Sequence, residues 1–505
     1  MLFYTKYYSK GRMKMEIMDK DLQSIQEVRT LIAKAKKAQA EFKNFSQEAV
    51  NKVIEKIAKA TEVEAVKLAK LAYEDTGYGK WEDKVIKNKF SSIVVYNYIK
   101  DLKTVGILKE DKEKKLIDIA VPLGVIAGLI PSTNPTSTAI FKVLIALKAG
   151  NAIVFSPHPT AVRSITETVK IMQKAAVEAG APDGLIQCMS ILTVEGTAEL
   201  MKNKDTALIL ATGGEGMVRA AYSSGTPAIG VGPGNGPCFI ERTADIPTAV
   251  RKVIGSDTFD NGVICASEQS IIAETVKKAE IIEEFKRQKG YFLNAEESEK
   301  VGKILLRANG TPNPAIVGKD VQALAKLAGI SIPSDAVILL SEQTDVSPKN
   351  PYAKEKLAPV LAFYTVEDWH EACEKSLALL HNQGSGHTLI IHSQNEEIIR
   401  EFALKKPVSR ILVNSPGSLG GIGGATNLVP SLTLGCGAVG GSATSDNVGP
   451  ENLFNIRKVA YGTTTVEEIR EAFGVGAASS SAPAEPEDNE DVQAIVKAIM
   501  AKLNL

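Results

Sequence analysis

The sequence lacks several features that mark particular classes of protein. Its 59 basic residues are balanced by 59 acidic ones, and they form no long basic run. Because nucleic acids are bound through concentrated positive charge, we do not expect a nucleic acid as a partner. The longest apolar stretch, residues 119–131, contains Pro122 and is shorter than the roughly 20 residues that a membrane span needs. No membrane-spanning helix is predicted.

Cysteine is also scarce, with five residues in a chain of 505. They are Cys188, Cys238, Cys265, Cys373 and Cys436. Their odd number, their wide spacing and the absence of a CxxC pair argue against a disulfide framework and against a zinc site. We therefore predict no metal and a reducing, cytoplasmic environment.

The amino terminus has no signature of secretion. Residues 1–18 contain neither a continuous apolar run nor a small-residue cleavage site. Met13, Met15 and Met18 are alternative starts of the protein. We expect residues 1–19 to be poorly ordered, as chain ends commonly are.

The length of the chain exceeds that of one ordinary hydrophobic core, so we expect two large domains. In residues 20–238, helix-like segments alternate with apolar strand-like ones. Residues 116–131 are predicted as a strand, 138–148 as a helix and 151–157 as a second strand, which together make a parallel βαβ unit. Repetition of this alternation predicts a doubly wound α/β nucleotide-binding sheet.

A second α/β domain is predicted for residues 239–447. Its expected strands are residues 270–274, 336–341, 360–366, 386–393 and 410–416. Within it, Gly435 to Gly440 match GxGxxG, but a turn-rich segment follows where a helix would be required. We interpret this stretch as a glycine-rich loop in which Cys436 is a possible second thiol.

The composition changes abruptly near the carboxyl terminus. Residues 474–487 are rich in Gly, Ala, Ser, Pro and acids and predict a flexible linker. Residues 488–505 place apolar side chains at helical spacing and predict an amphipathic helix. Such a helix either docks on its own domain or, as a tethered peptide, on a partner, and the linker favours the second reading.

Cys265 stands in "DNGVICASEQS", between Asn261-Gly262 and Ala266-Ser267. A free cysteine is more often a small packed side chain than a nucleophile, and we interpret Cys188 and Cys373 in that way. The small and polar neighbours of Cys265 favour exposure and a close approach of the backbone. From spacing alone, packing and reactivity remain equal alternatives for Cys265.

Several segments together resemble the CoA-acylating branch of the aldehyde dehydrogenase superfamily. They are "IPSTNPTSTAIFK", "FSPHP", "ATGGEGMVRAAYSSGTPAIGVGPGN", "TFDNGVICASEQ", "EKLAPVLAFY", "GHTLIIHS" and "LTLGCGAVGG". Over residues 20–465 the chain is similar to the aldehyde dehydrogenase half of bifunctional aldehyde-alcohol dehydrogenases. It is equally similar to propionaldehyde and acetaldehyde dehydrogenases of bacterial microcompartments.

The resemblance implies an aldehyde dehydrogenase-like α/β fold. A Rossmann-like domain for NAD and CoA would occupy residues 20–238, and a catalytic domain residues 239–447. An oligomerisation arm would combine a hairpin near residues 103–121 with a strand in residues 448–473. A homo-oligomer, dimer or tetramer, is therefore expected.

The resemblance also implies roles for individual residues. Cys265 matches the nucleophile that converts an aldehyde into a thiohemiacetal and then a thioester. Asn134 matches the amide that, with the backbone N–H of Cys265, stabilises the oxyanion. Glu355 matches the glutamate that binds ribose hydroxyls of NAD.

Further cofactor contacts are implied at other positions. Thr212, Gly213 and Gly214 match a helix amino terminus near the pyrophosphate, although an ordinary tight turn would explain the glycines equally well. Pro131 is expected among the cofactor-binding residues. Ser156 and His158 stand near the position where hydrolytic relatives carry a lysine for the adenosine ribose. Pro131, Ser156 and His158 complete the predicted NAD site.

Residues 230–237, "GVGPGNGP", contain no acid where hydrolytic relatives carry the glutamate that activates water. Hydrolysis of the thioester should therefore be slow, and CoA becomes the natural acyl acceptor. His387, shared with the acylating branch, would either assist proton transfer or serve as a structural histidine. The expected product is acyl-CoA from propionaldehyde or acetaldehyde, with NADH. The alternatives are a hydrolytic aldehyde dehydrogenase and a non-catalytic cargo or scaffold protein.

Residues 488–505 resemble the short encapsulation peptides that direct enzymes into bacterial microcompartments. The resemblance implies a microcompartment shell protein as partner and a place in the microcompartment lumen. The sequence does not decide the aldehyde chain length, the direction of the reaction or the preference between NAD and NADP.

Overall fold

The computed structural model describes residues 19–474 and Lys497. Its strands form three sheets, two of which are parallel throughout. The α/β prediction is thereby confirmed. The predictions for the amino terminus, for residues 475–487 of the linker and for the helix at 488–505 lie outside the described residues, apart from Lys497.

The strands are named in chain order. They are β1 (Gly106–Asp111), β2 (Leu116–Pro122), β3 (Val125–Ile130), β4 (Ala152–Pro157), β5 (Ile186–Cys188), β6 (Thr206–Thr212), β7 (Ala228–Val231), β8 (Gly236–Ile240), β9 (Glu268–Glu274), β10 (Gly290–Phe292), β11 (Ile338–Glu342), β12 (Val360–Val366), β13 (Gly386–His392), β14 (Val408–Val413) and β15 (Phe454–Ala460).

The α-helices are named in the same way. They are α1 (Lys20–Phe42), α2 (Gln47–Val63), α3 (Ala65–Thr76), α4 (Trp81–Lys89), α5 (Tyr96–Ile99), α6 (Pro135–Lys148), α7 (Val162–Glu178), α8 (Val194–Lys202), α9 (Glu215–Tyr222), α10 (Ile246–Thr258), α11 (Thr275–Arg287), α12 (Ala295–Leu305), α13 (Val321–Ala328), α14 (Trp369–Asn382), α15 (Glu396–Lys405), α16 (Gly417–Gly421) and α17 (Val466–Ala472). A π-helical segment, Phe90–Val95, joins α4 to α5.

The first parallel sheet has five strands in the order β5-β4-β3-β6-β7. The chain builds outward from β3 to β5, then returns to the other side of β3 with β6. This reversal makes a topological switch point between β3 and β6, and ligands of doubly wound sheets bind beyond the carboxyl ends of such strands. Residues 131–134 follow β3 there, and Gly213 and Gly214 follow β6.

The predicted single strand at residues 116–131 was wrong. It is two strands, β2 and β3, which belong to different sheets. The chain turns at Gly124, whose φ of 132° is open to glycine and strained for other residues. The Gly124 N–H donates to the side chain of Asn151 over 2.9 Å, which anchors the turn beside β4. An uninterrupted apolar run therefore concealed a change of sheet.

The second parallel sheet has seven strands in the order β10-β11-β12-β9-β8-β13-β14. Both sheets lie in the same compact unit. Among the described residues, this unit comprises 19–108 and 119–457. The predicted domain boundary at residue 238 falls inside β8, because the chain has already entered the second sheet at Gly236. The centre of this sheet is fully buried, and every residue of β9 is inaccessible.

The third sheet has three strands in the order β1-β2-β15. A second, small compact unit comprises, among the described residues, 109–118 and 458–474. Inside this unit, Lys458 pairs with Asp118 over 2.6 Å, and the Tyr461 N–H donates to the carbonyl of Lys115 over 3.1 Å. The predicted hairpin near 103–121 corresponds to β1 and β2. In residues 19–474, no helix combines the length and the apolar character that crossing a membrane requires.

Candidate active site

A cavity of about 240 Å³ lies beyond the carboxyl ends of β3 and β6. Eight residues that the sequence predicted for the site line it: Pro131, Asn134, His158, Thr212, Gly213, Gly214, Cys265 and Glu355. They come from segments more than 200 residues apart in the chain. Ser156 and His387, also predicted, are not among the lining residues.

Cys265 lies in the loop that leads from α10 into β9. The loop is bent by two consecutive residues with positive φ, Asp260 (51°) and Asn261 (52°), and the Asn261 amide holds the bend by donating to the carbonyl of Gly318 over 2.9 Å. A further turn, from Ser267 N–H to the Ile264 carbonyl over 3.0 Å, encloses Cys265. Non-glycine residues rarely adopt positive φ, so the fold holds this loop in a strained conformation.

The Cys265 thiol is protonated in this environment. Burial, together with the nearby carboxyl group of Glu355 and thiol of Cys436, raises its pKa to about 12, against the opposing effect of the Arg410 guanidinium. A thiolate is the reactive form of cysteine. Attack on a carbonyl carbon therefore needs either a proton acceptor or a change in the surroundings when ligands bind.

The loop between β7 and β8 presses directly against Cys265. A Cβ at Gly234 would lie 1.8 Å from the carbonyl oxygen of Cys265 and 3.4 Å from Cε1 of His387. Only glycine fits there. The Gly234 N–H donates to Oε1 of Glu355 over 2.9 Å. This loop, the segment that lacks the water-activating acid, thus links the cysteine to the cavity's glutamate.

Glu355 is the only carboxylic acid among the residues that line the cavity. Burial raises its pKa to about 7, against the opposing effects of the Gly234 N–H and the Lys356 ammonium. Its backbone N–H donates to the side chain of Gln383 over 2.8 Å, which fixes the segment at the cavity wall. Near neutral pH, the Glu355 carboxyl therefore exists in both protonation states.

Asn134 is the residue before α6, with Pro135 at the first helical position. Its Nδ2 donates to the carbonyl of Val263, two residues before Cys265, over 3.0 Å. Its Oδ1 accepts a hydrogen bond from Lys87 Nζ over 2.7 Å. The carboxamide is consequently held at both ends, with its N–H side directed toward the loop that carries Cys265.

A buried charged triad behind Asn134 was not predicted from the sequence. Lys84 and Lys87, one turn apart on α4, both donate to Oδ2 of Asp260, over 3.0 and 2.5 Å. The side chains of the two lysines are each 3% exposed and that of Asp260 is fully buried. Lysines at this spacing ordinarily belong to a solvated helix face, so the sequence offered no signal for the triad.

The cofactor end of the cavity is formed where β6 ends and α9 begins. Gly214 is the amino-terminal cap of α9, and a Cβ there, as at Gly232, would meet nothing within 4 Å. The Thr212 hydroxyl is buried without a hydrogen-bond partner among the described residues. Backbone N–H groups at a helix start and open space suit a phosphate group, and Glu355 offers an acceptor for hydroxyls. These residues fit a dinucleotide.

His158 and Ser156 differ in position. His158 lines the cavity, and its Nδ1 is within hydrogen-bond distance of Thr160 Oγ1, at 2.9 Å. The Ser156 hydroxyl is buried and pairs with that of Thr197 over 2.9 Å. Ser156 therefore does not reach the cavity, because its side chain points to α8.

His387 is not among the lining residues, but it lies near the Cys265 backbone: the position that a Cβ at Gly234 would occupy is 1.8 Å from the Cys265 carbonyl oxygen and 3.4 Å from Cε1 of His387. Its Nδ1 is 2.9 Å from Thr388 Oγ1, whereas its Nε2 is buried without a partner among the described residues. Burial and the Arg410 guanidinium lower its pKa to about 3. The imidazole is therefore neutral at physiological pH and can accept a hydrogen bond, whereas its surroundings in this structure disfavour protonation.

Arg410, on β14, is a second residue that the sequence did not indicate. Its guanidinium donates to the backbone carbonyls of Gly435 (2.6 Å) and His387 (3.1 Å) and to the side chain of Asn447 (3.1 Å). It thereby ties the glycine-rich loop at 435–440 to β13. That loop contains only a short 3-10 turn, as the loop interpretation predicted.

Much of the remaining lining of the cavity is apolar. It includes Val263, Ile264, Ile422, Leu432 and Leu434, together with Thr138. Such a surface suits a short aliphatic chain whose reactive end faces Cys265.

A separate buried group joins Cys238, Glu268 and His392, whose potential ligand atoms lie within 4.8 Å of one another. The sequence analysis, which relied on CxxC spacing, did not anticipate it. Burial raises the pKa of Glu268 to about 7 and lowers that of His392 to about 4. Burial also raises the pKa of the Cys238 thiol. The surroundings favour the neutral form of each group, and none of the three lines the cavity.

Comparison with known proteins gives the family. The family model described as "Aldehyde dehydrogenase family" matches residues 13–326. The bifunctional aldehyde-alcohol dehydrogenase AdhE of Escherichia coli is 47% identical over 86% of this chain, which spans about half the length of that relative. A probable aldehyde dehydrogenase from Listeria monocytogenes superposes with a TM-score of 0.89 at 63% identity, over 90% of this chain and 100% of that one. The chain belongs to the aldehyde dehydrogenase family.

Other solved structures narrow the relationship. An acetylating aldehyde dehydrogenase from Geobacillus thermoglucosidasius superposes with a TM-score of 0.88 at 51% identity, over 89% of this chain and 99% of that one. A propionaldehyde dehydrogenase from the fucose utilisation microcompartment of Clostridium phytofermentans superposes with a TM-score of 0.78 at 28% identity, over 87% of this chain and 98% of that one. The propionaldehyde dehydrogenase of Rhodopseudomonas palustris with bound propionyl-CoA superposes with a TM-score of 0.78 at 26% identity, over 86% of this chain and 94% of that one. The resemblance to CoA-acylating aldehyde dehydrogenases is thereby confirmed.

Proposed function

We propose that this protein catalyses the NAD-dependent, CoA-acylating oxidation of a short-chain aldehyde to acyl-CoA. The observation that carries the proposal is one cavity in which a cysteine, a held carboxamide and one glutamate converge beside an open helix amino terminus. The named relatives support the same reaction class, since one is called acetylating and another contains propionyl-CoA.

In the proposed first step, the sulfur of Cys265 adds to the carbonyl carbon of the aldehyde. The carbonyl oxygen becomes negative, and the N–H groups of Asn134 Nδ2 and of the Cys265 backbone stabilise it. The thiol proton passes to an acceptor, for which we propose His387: its Nε2 has no hydrogen-bond partner among the described residues, and its pKa must rise from about 3 when the ligands bind. Bound NAD+ supplies the hydride acceptor for this carbon, and the acyl group then remains on Cys265 as a thioester.

The second step releases the acyl group to the thiol of CoA. The loop at residues 230–237 holds no acid, and the cavity's one carboxylic acid, Glu355, accepts the N–H of Gly234. Activation of water is consequently disfavoured, whereas a thiol exchanges readily with a thioester. CoA sulfur attacks the acyl carbon, the bond to Cys265 breaks, and the cysteine regains its proton.

Propionaldehyde and acetaldehyde are the proposed substrates. The small apolar wall formed by Thr138, Ile264 and Leu434, among others, accommodates a chain of few carbons. The titles of two solved relatives name propionaldehyde dehydrogenases. A kinetic series of two- to four-carbon aldehydes, with NAD+ and NADP+, would establish the preferred chain and cofactor.

The decisive experiment measures NADH and acyl-CoA formed by the purified full-length chain with and without CoA. We expect sustained turnover only with CoA, and its loss in Cys265→Ala. Cys188→Ala serves as the matched control, because Cys188 lies at the end of β5 and is not among the lining residues. Equal turnover without CoA would favour the hydrolytic alternative. Turnover by Cys265→Ala would exclude the assigned nucleophile.

We also propose that the protein is cargo of a bacterial microcompartment in the cytoplasm, bound to a shell protein through residues 488–505. The apolar spacing of that segment, its linker and the microcompartment relative support this. Deletion of residues 475–505 should preserve activity and abolish co-purification with shell proteins. Loss of activity on truncation would instead favour a helix that docks on its own domain.

A homo-oligomer, dimer or tetramer, is the proposed assembly. Some apolar side chains of the third sheet are exposed. They include Ile107 on β1 and Ile456 on β15, which are 48% and 51% exposed. A contiguous exposed apolar patch marks a contact with another protein, and we propose that these side chains belong to such a patch. Sedimentation of the full chain, compared with an Ile456→Glu variant, would test this arm.

A further inference from the structure

We infer that Lys87 is a positioning residue for the oxyanion donor: its ammonium, held by Asp260, orients the Asn134 carboxamide and polarises it toward the aldehyde oxygen. The inference rests on the proposed reaction at Cys265. It assigns a function to the buried triad of Lys84, Lys87 and Asp260, which the proposed chemistry does not otherwise use.

The hydrogen-bond pattern allows one orientation of the Asn134 side chain. An ammonium group has only donors, so the atom that faces Lys87 Nζ at 2.7 Å must be the amide oxygen. The amide nitrogen is therefore turned toward the Val263 carbonyl, 3.0 Å away, and the loop of Cys265. Without Lys87, a flipped carboxamide would present an oxygen to the developing oxyanion and would repel it.

Lys87 has no donor left for a substrate. Besides Asn134, its ammonium donates to Oδ2 of Asp260 (2.5 Å) and to the Val263 carbonyl (3.2 Å). Three donors are thus committed to three acceptors, although Lys87 lines the cavity. A role in binding an anionic group of the aldehyde is therefore disfavoured, and the action of Lys87 passes through Asn134.

The triad places two positive charges beside one carboxylate, and a second acid, Asp83, lies next to it and accepts the backbone N–H of Asp260 over 2.7 Å. Two lysines, Lys84 and Lys87, share one carboxylate oxygen of Asp260, and all three side chains are buried. A hydrogen bond from a charged donor is stronger than one between neutral groups. Donation to Oδ1 withdraws electron density from the amide, so the Nδ2–H becomes a better donor to a negative oxygen. Burial lowers the pKa of Lys87 to about 8, with Asp260 opposing this decrease.

The surrounding structure holds the triad rigidly. The neighbouring Asn88 donates to the Ala65 carbonyl over 3.0 Å and accepts from Thr136 on α6 over 2.8 Å. The π-helical segment at Phe90–Val95 follows directly, and such segments often accompany functional sites. Helix α4 is therefore fixed to the helix that begins after Asn134, which keeps the distance between Lys87 and Asn134 constant.

A double-mutant cycle tests the inference. We would measure the pre-steady-state rate of NADH formation and the KM for propionaldehyde in wild type, Lys87→Met, Asn134→Ala and the double variant. We expect Lys87→Met to slow NADH formation by about 10- to 100-fold with little change in KM. In the Asn134→Ala background, the same substitution should have no further effect. Fully multiplicative effects would overturn the inference.

Lys84→Met is the matched control, because Lys84 donates to the same oxygen of Asp260 and to the carbonyl of Thr133 but not to Asn134. Its effect on the rate should be smaller and equal in both Asn134 backgrounds. If Lys87→Met fails to fold, Lys87→Gln keeps a neutral donor and permits the same cycle. A specific role for Lys87 would be contradicted if Lys84→Met slowed the rate as much as Lys87→Met does and if this effect also disappeared in the Asn134→Ala background.

The experiments distinguish a failure of the proposed function from a failure of the positioning role of Lys87. Absence of CoA-dependent acyl-CoA formation by the wild type would refute the proposed function. Normal formation together with independent Lys87 and Asn134 effects would refute only the positioning role.

Discussion

The backbone of Gly234 touches that of Cys265 so closely that a Cβ at position 234 would lie 1.8 Å from the Cys265 carbonyl oxygen. The same glycine donates its N–H to Glu355. One residue without a side chain therefore sets the distance between the proposed nucleophile and the proposed ribose-binding carboxylate.

Gly234→Ala should displace the 230–237 loop from Cys265 and lower kcat/KM by about 100-fold or more, because a displacement near 1 Å of reacting groups costs this much. NAD+ binding should weaken as well, since the Glu355 contact is lost. Gly255→Ala on α10, where a Cβ meets nothing within 4 Å, is the control. Steady-state kinetics would give kcat/KM for both variants. Near-normal kcat/KM of Gly234→Ala would contradict the close contact between Gly234 and the Cys265 backbone.

Alkylation of Cys265 should report its raised pKa. Since burial raises the thiol pKa to about 12, the thiolate fraction and the rate of reaction with iodoacetamide should rise about tenfold per pH unit from pH 7 to 9. Mass spectrometry of the Cys265 peptide would follow the rate. A rate that levels off near pH 7 would mean that the thiol is already ionised in the free enzyme.

NAD+ affinity should depend on pH through Glu355. Because its pKa is raised to about 7, the carboxylate that accepts ribose hydroxyls is mostly protonated at pH 6 and mostly ionised at pH 8. Affinity should therefore increase by up to about tenfold across this interval. Fluorescence titrations of wild type and Glu355→Gln measure it. The variant should bind weakly with no such pH dependence, and parallel curves for both proteins would count against this role.

Asp260→Asn should destabilise the fold strongly. The substitution preserves the shape of the side chain but leaves Lys84 and Lys87 buried without a negative partner, and breaking a buried ion pair in this way costs about 3–5 kcal/mol. Urea unfolding measures the loss. Asp205→Asn, which breaks the exposed pair with Lys36, is the control and should lose far less. A loss as small as that of the control would show that the triad tolerates its unbalanced charge.

Local patterns in the sequence anticipated much of the fold. The predicted strands at 270–274, 360–366 and 386–393 coincide closely with β9, β12 and β13, because strands buried on both faces appear as short apolar runs. The break between β2 and β3 escaped notice for the same reason: both strands are apolar, and hydrophobicity does not report to which sheet a strand belongs. The short strands β7, β8 and β10 had too few residues to show a period.

The candidate site was anticipated through motifs more than through spacing. Cys265, Asn134 and Glu355 were predicted from their resemblance to a family, and the structure brings all three to one cavity. Ser156 stood in an equally suggestive motif and yet turns toward Thr197. Which of two neighbouring strand residues faces a cavity depends on strand orientation within the folded sheet, which no local motif contains.

By itself, the sequence determined the α/β alternation and the absence of an acid at residues 230–237, and through its motifs it indicated the loop of the proposed nucleophile. These are properties of short segments, and hydrophobic period and residue type record them directly. Only the tertiary structure decided that Lys87 meets Asn134, that Gly234 presses on Cys265 and that Arg410 ties the 435–440 loop to β13. Such contacts join residues that lie tens of positions apart in the chain, and the packing of two sheets and their helices, rather than any local preference, brings them together.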